Sequence, residues 1–160
     1  MSPPDLDRYR PNVGVVLFRS DGRVWLGRRA GAPGPYNWQF PQGGVDPGED
    51  WETAARRELK EETGVTSATL LAATDGWITY DFPPEVLAGA KRTRGFKGQK
   101  QKWFAYRFEG EDSEIDLEAH GEVEFDAWEW AHIDAAPARV VDFKRAAYDQ
   151  VVATFRRFAD

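Results

Sequence analysis

The chain has 160 residues, 41% of them apolar and 14% aromatic, which is enough to bury one real core and leaves no room for a second. It contains no cysteine, which excludes disulfide frameworks, thiolate metal sites and cysteine nucleophiles. A net charge of −6 argues against binding to a DNA duplex. No apolar run reaches the roughly 18 to 20 residues of a membrane span, and the start lacks the apolar core of a signal peptide. The expectation is a single cytoplasmic domain over 1–160, monomeric, with no membrane partner and a short N-terminal tail at 1–8.

In chain order, residues 12–19 and 23–29 are rich in apolar and β-branched side chains and flank Ser20-Asp21-Gly22, so they predict a β-hairpin. Gly31, Pro33, Gly34 and Pro35 make 31–35 a surface loop, leading into a short extended piece at 38–40 that Pro41 ends. Asp50 is an N-cap candidate, Glu52 suits the positive end of the helix dipole, and Gly64 suits the left-handed position after the last turn. These signals predict a helix over about 50–63, with Trp51, Ala55 and Leu59 as its buried stripe. Residues 68–82 predict one or two strands broken near Asp75-Gly76, and Pro83-Pro84 opens a short helix or turn. Strands follow at 102–108 and 124–130. A closing amphipathic helix over 139–158 would turn Val140, Phe143, Ala147, Val151 and Phe155 inward. Strands and helices mix without regular βαβ alternation, which points to an α+β, mixed-sheet sandwich.

Two charge clusters stand out. Glu58, Glu61 and Glu62 are spaced i, i+3, i+4, so one helix face carries three carboxylates about a turn apart. Solvated, that repulsion costs only about 0.2 to 0.5 kcal/mol per pair, so an exposed acidic face is one reading. The other is a site for hard divalent cations that bridge carboxylates to phosphate oxygens. The second cluster lies between 91 and 102, where Lys91, Arg92, Arg94, Lys97, Lys100 and Lys102 occur with no acidic residue. Its first part, 91–97, reads as a solvated basic loop at least as readily as a track for RNA.

The residues around the acidic triplet decide between its readings. Gly43, Glu49, Arg57, Glu58, Leu59, Glu61, Glu62, Gly64 and Val65 fill every fixed position of the Nudix box, and the chain therefore resembles the Nudix hydrolases. The resemblance implies a Nudix α/β/α sandwich with a mixed sheet and a loop–helix–loop catalytic box. In it Glu58, Glu61 and Glu62 face Mg²⁺ or Mn²⁺, with more than one ion when substrate is bound. It also implies that Arg57 and Glu49 brace the catalytic loop against the helix, and that Gly43 and Gly44 turn close to phosphate.

Three further stretches, YRPNVG at 9–14, WQFPQGG at 38–44 and GQKQKWF at 98–104, are similar to a narrower group. With EFDAW at 124–128 and VVDFKR at 140–145, they resemble bacterial RNA pyrophosphohydrolases and the related dinucleoside polyphosphate hydrolases. By that likeness Glu124 adds a metal ligand from outside the box, and Glu61 and Glu124 are rival general bases. Arg10, Arg29, Lys100 and Lys102 would meet the polyphosphate, Val141 and Phe143 would pack on a nucleobase with Lys144 at its edge, and Tyr80 would be a further contact. Helix periodicity alone makes Val140 and Phe143 core residues instead. The loop 31–36 is longer than expected for the group, and His120 and His132 match no motif position.

The implied activity is Mg²⁺-dependent hydrolysis inside a polyphosphate chain, on 5′-triphosphate RNA ends or on dinucleoside polyphosphates such as diadenosine tetraphosphate. A dedicated dinucleoside polyphosphate hydrolase, a non-catalytic module binding nucleotides or RNA ends, and a nucleotide-pool sanitiser are the alternatives.

Overall fold

In a computed structural model of the chain, residues 5–32, 34–89 and 93–159 are described. Lys91 and Arg92 of the basic run lie outside them, as do residues 1–4 of the expected tail. The elements are β1 (Tyr9–Phe18), β2 (Val24–Arg29), β3 (Trp38–Gln39), β4 (Gln42–Gly44), α1 (Trp51–Thr63), β5 (Ala68–Ala73), β6 (Ile78–Asp81), α2 (Pro84–Leu87), β7 (Gly98–Phe108), β8 (Phe125–Ala131), α3 (Ala136–Arg139) and α4 (Arg145–Phe155). Among the described residues the strands form one mixed sheet in the order β3-β2-β1-β7-β5, with β4 on β1, β6 on β7 and β8 on β2.

Side chains alternate across β1 and β7 and so build two cores. Val13, Val15, Leu17, Phe104, Tyr106 and Phe108 pack with Ala54, Ala55 and Leu59 of α1. Val16, Phe18, Trp103 and Ala105 face the other way, onto Ala147, Tyr148, Val151 and Phe155 of α4. Helix, sheet and helix make the α/β/α sandwich that the sequence predicts.

Three expectations change in detail. The turn at Asp21-Gly22 forms, with Gly22 at φ +86°, but β1 and β2 pair only at Phe18 and Val24 before they diverge. Each strand finds a longer partner elsewhere: β1 runs parallel to β7 from Tyr9–Gly98 to Phe18–Arg107, and β2 runs antiparallel to β8. The closing helix is broken. Val140 is extended (φ −91°, ψ 158°), and a 3-10 turn over Asp142–Lys144 precedes α4. The β-branched pair Val140-Val141 favours extended backbone there, with Val140 sealed into the core. Finally, β7 begins at Gly98 rather than 102, which brings Gln99 and Gln101 into the ladder.

The α1 signals match the structure closely. Asp50 accepts a bond from the Thr53 N–H at 3.2 Å, and Gly64 closes the helix at φ +80° with its N–H on Lys60 O. The segment 68–82 divides into β5 and β6, both antiparallel to β7.

Candidate active site

The acidic face of α1 is graded by depth. The Glu62 residue is 6% exposed, while the side chains of Glu58 and Glu61 are 13% and 45% exposed. Burial, reinforced by the neighbouring Glu58 and Glu124 charges, raises the Glu62 carboxyl well above the usual range. Its Oε2 accepts one bond, 3.0 Å from the Gln42 N–H. Burial also lifts Glu58, to about 7, against the lowering effect of Arg57.

Arg57 is the brace of this region. Its guanidinium holds Glu49 through two bonds, Nε to Oε2 at 2.8 Å and Nη2 to Oε1 at 2.9 Å. The remaining donors reach Gly44 O at 2.9 Å, Glu58 at 2.8 Å and Glu61 at 3.3 Å. The bonds from Arg57 hold the Glu49 carboxyl down at about 2. Glu49 also accepts from the Asp46 N–H, so the loop before α1 is tied to the helix at both ends.

These carboxylates form one wall of a cleft of about 560 Å³. It is lined by Arg10, Asn12, Gln42, Gly43, Gly44, Glu58, Glu61, Glu62, Gln99, His120, Glu122 and Glu124. Glu124 stands just before β8, and its carbonyl is fixed by the Ala30 N–H at 2.9 Å. Gly43 makes room for the acidic wall, because a Cβ there would lie 2.0 Å from the Glu58 carboxyl carbon. The floor is a chain of amides. Trp103 Nε1 donates to Gln101 Oε1 at 3.1 Å, and Gln101 Nε2 donates to Asn12 at 2.8 Å and to Gln42 at 3.3 Å. Since Gln42 also holds Glu62, the buried network fixes the deepest carboxylate.

The cleft therefore gathers Glu58, Glu61, Glu62, Glu124, Arg10, Gly43 and Gly44 from the residues expected at the site. Asn12, Gln42, Gln99 and Glu122 join them; the first three stand in the stretches 9–14, 38–44 and 98–104 that resemble the narrower group, though nothing in the sequence assigns them a role. His120, expected to be incidental, also lines the cleft because the loop entering β8 carries it there.

The remaining expected residues lie elsewhere. Lys144 is buried, with Nζ 3.3 Å from Gln39 Oε1, and burial lowers it to about 7. Its ammonium lies 5.7 Å from the Tyr80 ring centroid and 6.0 Å from that of Phe143. Tyr80 is itself a core residue, with a hydroxyl that bonds Gln42. Phe143 and Val141 pack partly buried on the α4-side core, which matches the periodicity reading of Phe143. Arg29 bears electrostatically on Lys144 and Tyr80, and so belongs to this second group. Lys100 and Lys102 leave β7 on the opposite face from Gln99 and Gln101. They stand 5.0 and 5.1 Å from the Trp77 ring centroid and do not line the cleft.

The donor set suits a divalent cation by its chemistry. The cleft presents five carboxylates against the single guanidinium of Arg10, all of them hard oxygen donors. Among the described residues, no three such groups enclose a common point as they stand. Arg57 draws Glu58 and Glu61 toward itself, and Gln42 holds Glu62.

A mixed-sheet α/β/α sandwich with an Arg57-braced acidic helix over a polar cleft defines a Nudix hydrolase, and the NUDIX domain profile matches residues 8–151, so the chain belongs to that family. Within it, the chain is 66% identical over 159 residues to a protein named RNA pyrophosphohydrolase from Caulobacter vibrioides, covering 99% of this chain and 92% of that one. It is 48% identical over 168 residues to a protein of the same name from Brucella abortus, covering 99% and 94%. Among solved structures, the E. coli dihydroneopterin triphosphate pyrophosphohydrolase superposes with a TM-score of 0.68 at 24% identity, covering 91% of this chain and 98% of that one, and shares the fold. No helix among the described residues is long and apolar enough to cross a membrane.

Proposed function

We propose that this chain removes pyrophosphate from the 5′-triphosphate end of RNA, using Mg²⁺, with Mn²⁺ able to substitute. The observation that carries the proposal is the convergence of Glu58, Glu61, Glu62 and Glu124 on one cleft with Arg10. The Caulobacter relative's name, at 66% identity over 99% of this chain, supports the RNA substrate.

Glu58, Glu61, Glu62 and Glu124 would hold the metal, which when bound neutralises anionic phosphate oxygens and lowers the pKa of the attacking water. Arg10 meets the phosphate chain from the opposite side, and the amides of Asn12, Gln42 and Gln99 offer neutral donors to phosphate or ribose. A water oxygen attacks phosphorus as the bond to the departing pyrophosphate oxygen breaks, and Glu61 or Glu124 takes the water's proton. The products are 5′-monophosphate RNA and pyrophosphate. Glu62 is the ligand held deepest, Glu49 and Arg57 keep the wall in place, and Phe143, partly buried beside Tyr80 and Lys144, would border the first nucleotide.

The test compares kcat/KM on triphosphorylated RNA and on diadenosine tetraphosphate with Mg²⁺ present. Release of pyrophosphate from RNA is the expected result, and turnover of the dinucleotide alone would sink the RNA assignment. Glu62→Gln should lower kcat by about two orders of magnitude or more, the scale of a lost transition-state electrostatic contact.

A further inference from the structure

A cleft of about 560 Å³ is too small for more than the 5′ end of an RNA strand, so the nucleotides that follow extend beyond it. We propose that Trp51, Trp77, Lys100 and Lys102 form a platform that binds single-stranded RNA a few nucleotides downstream of the 5′ end. This deepens the function proposed above and rests on its RNA substrate.

Trp51 opens α1, and Trp77 stands in the loop between β5 and β6. Their rings meet edge-to-face, with centroids 5.0 Å apart and planes at 82°. Both side chains are only partly buried, as are those of Lys100 and Lys102. The Lys102 ammonium lies 5.1 Å from the Trp77 centroid and 5.9 Å from that of Trp51, and the Lys100 ammonium lies 5.0 Å from Trp77.

Two ammonium groups thus crowd one indole, and among the described residues neither makes an ion pair with a carboxylate. The acids nearest in sequence to Trp51 are engaged elsewhere. Asp50 caps α1, and Glu52 pairs with Arg56 and accepts from the Tyr106 hydroxyl. Asp75 is exposed, two residues before Trp77. In a chain of net charge −6, an uncompensated pair of lysines beside two partly exposed rings, Trp51 also packing on the α1-side core, is a local exception. Flat apolar faces next to positive charges are what bases and phosphates of a single strand require.

The placement fits the cleft. Lys100 follows Gln99, a cleft residue, on the same strand. Trp51 lies seven residues before Glu58 on α1, about 10 Å along the helix axis. A strand whose triphosphate sits among the glutamates therefore needs to run only a short way to reach the rings.

The experiment separates the platform from the cleft. A 5′-hydroxyl RNA hexanucleotide, which brings no triphosphate, is titrated against the full chain by tryptophan fluorescence at several salt concentrations. Trp77→Leu should weaken its binding by about tenfold. Lys100→Gln with Lys102→Gln should reduce the magnitude of the salt slope by about 1.4. Trp77→Phe keeps a stacking face and should restore most of the affinity, which covers the case of a Leu variant that folds poorly. In kinetics, Trp77→Leu should lower kcat/KM about tenfold on a triphosphorylated decanucleotide and leave a triphosphorylated dinucleotide unaffected. Unchanged hexanucleotide binding in these variants, or an equal loss on both substrate lengths, overturns the platform and would leave this face to a protein partner. If the wild type cleaves only diadenosine tetraphosphate while hexanucleotide binding still depends on Trp77, the RNA-end substrate fails and the platform stands.

Discussion

Gly43 shows how a single missing side chain shapes the acidic wall. The atoms that a Cβ would strike belong to the Glu58 carboxyl group, the far end of a flexible side chain, rather than to backbone. Gly43→Ala should therefore keep the fold and swing Glu58 aside. We expect a thermal midpoint near that of the wild type and a kcat lower by about 10- to 100-fold, because small misplacements in a site are costly. Normal turnover would show that the position of Glu58 is unimportant. Arg57 poses the complementary case. Its fork spans both Glu49 oxygens, so Arg57→Lys cannot reproduce it. Glu49, held at about 2 by that fork, contributes stability that is fully present above the ordinary carboxylate value of 4.5 and is lost as pH falls toward 2. Acid unfolding followed by circular dichroism should show a shallower loss over that window in Arg57→Lys than in the wild type.

At the scale of elements, α1 is the part whose ends can be tested separately. Asp50→Ala removes the side-chain bond to the Thr53 N–H and should cost about 1 kcal/mol. Gly64→Ala places a Cβ at φ +80°, 3.2 Å from backbone atoms of Asp116 and Glu114, and should cost about 1 to 2 kcal/mol. Urea titration checks both, with a lower midpoint and an unchanged m-value. These ends were legible in the sequence because caps and left-handed glycines act locally. The β1–β2 pairing was not, since Asp21-Gly22 specifies the turn while the partners of both strands lie far along the chain. The same division runs through the site. Helical spacing puts Glu58, Glu61 and Glu62 on one face, but only the likeness to the Nudix box marks them as a site, as the likeness to a narrower group does for Glu124. Asn12, Gln42 and Gln99 are neutral amides brought together by strand register, so nothing periodic marks them. Lys100 and Lys102 carry the right charge, but strand alternation sends them to the face away from the cleft.

For the whole molecule, the acidic cleft links stability, pH and metal. The raised carboxyl values of Glu58 and Glu62 mean that the metal-free fold prefers these groups protonated. Their contribution is fully present below the ordinary value of 4.5 and is lost as pH rises, for Glu58 through about 7. A divalent ion competes with those protons and replaces their effect once they have left. The shift in thermal midpoint produced by saturating Mg²⁺ should therefore be larger at pH 8 than at pH 5. Equal shifts at both would separate metal binding from these carboxylates. The parallel ladder of β1 with β7 has a further consequence, for synthesis. Asn12 and Gln101, bonded in the floor beneath Glu62, are 89 positions apart. A ribosome completes the acidic helix at Thr63 well before it makes the strand that supports the site's floor, and Glu124 follows later still. Closing so long a loop is slow and unrewarded until the far strand arrives. The nascent chain thus carries the Nudix box with only β1 to β4 beside it, and the complete acidic cleft forms only after Glu124 has left the exit tunnel.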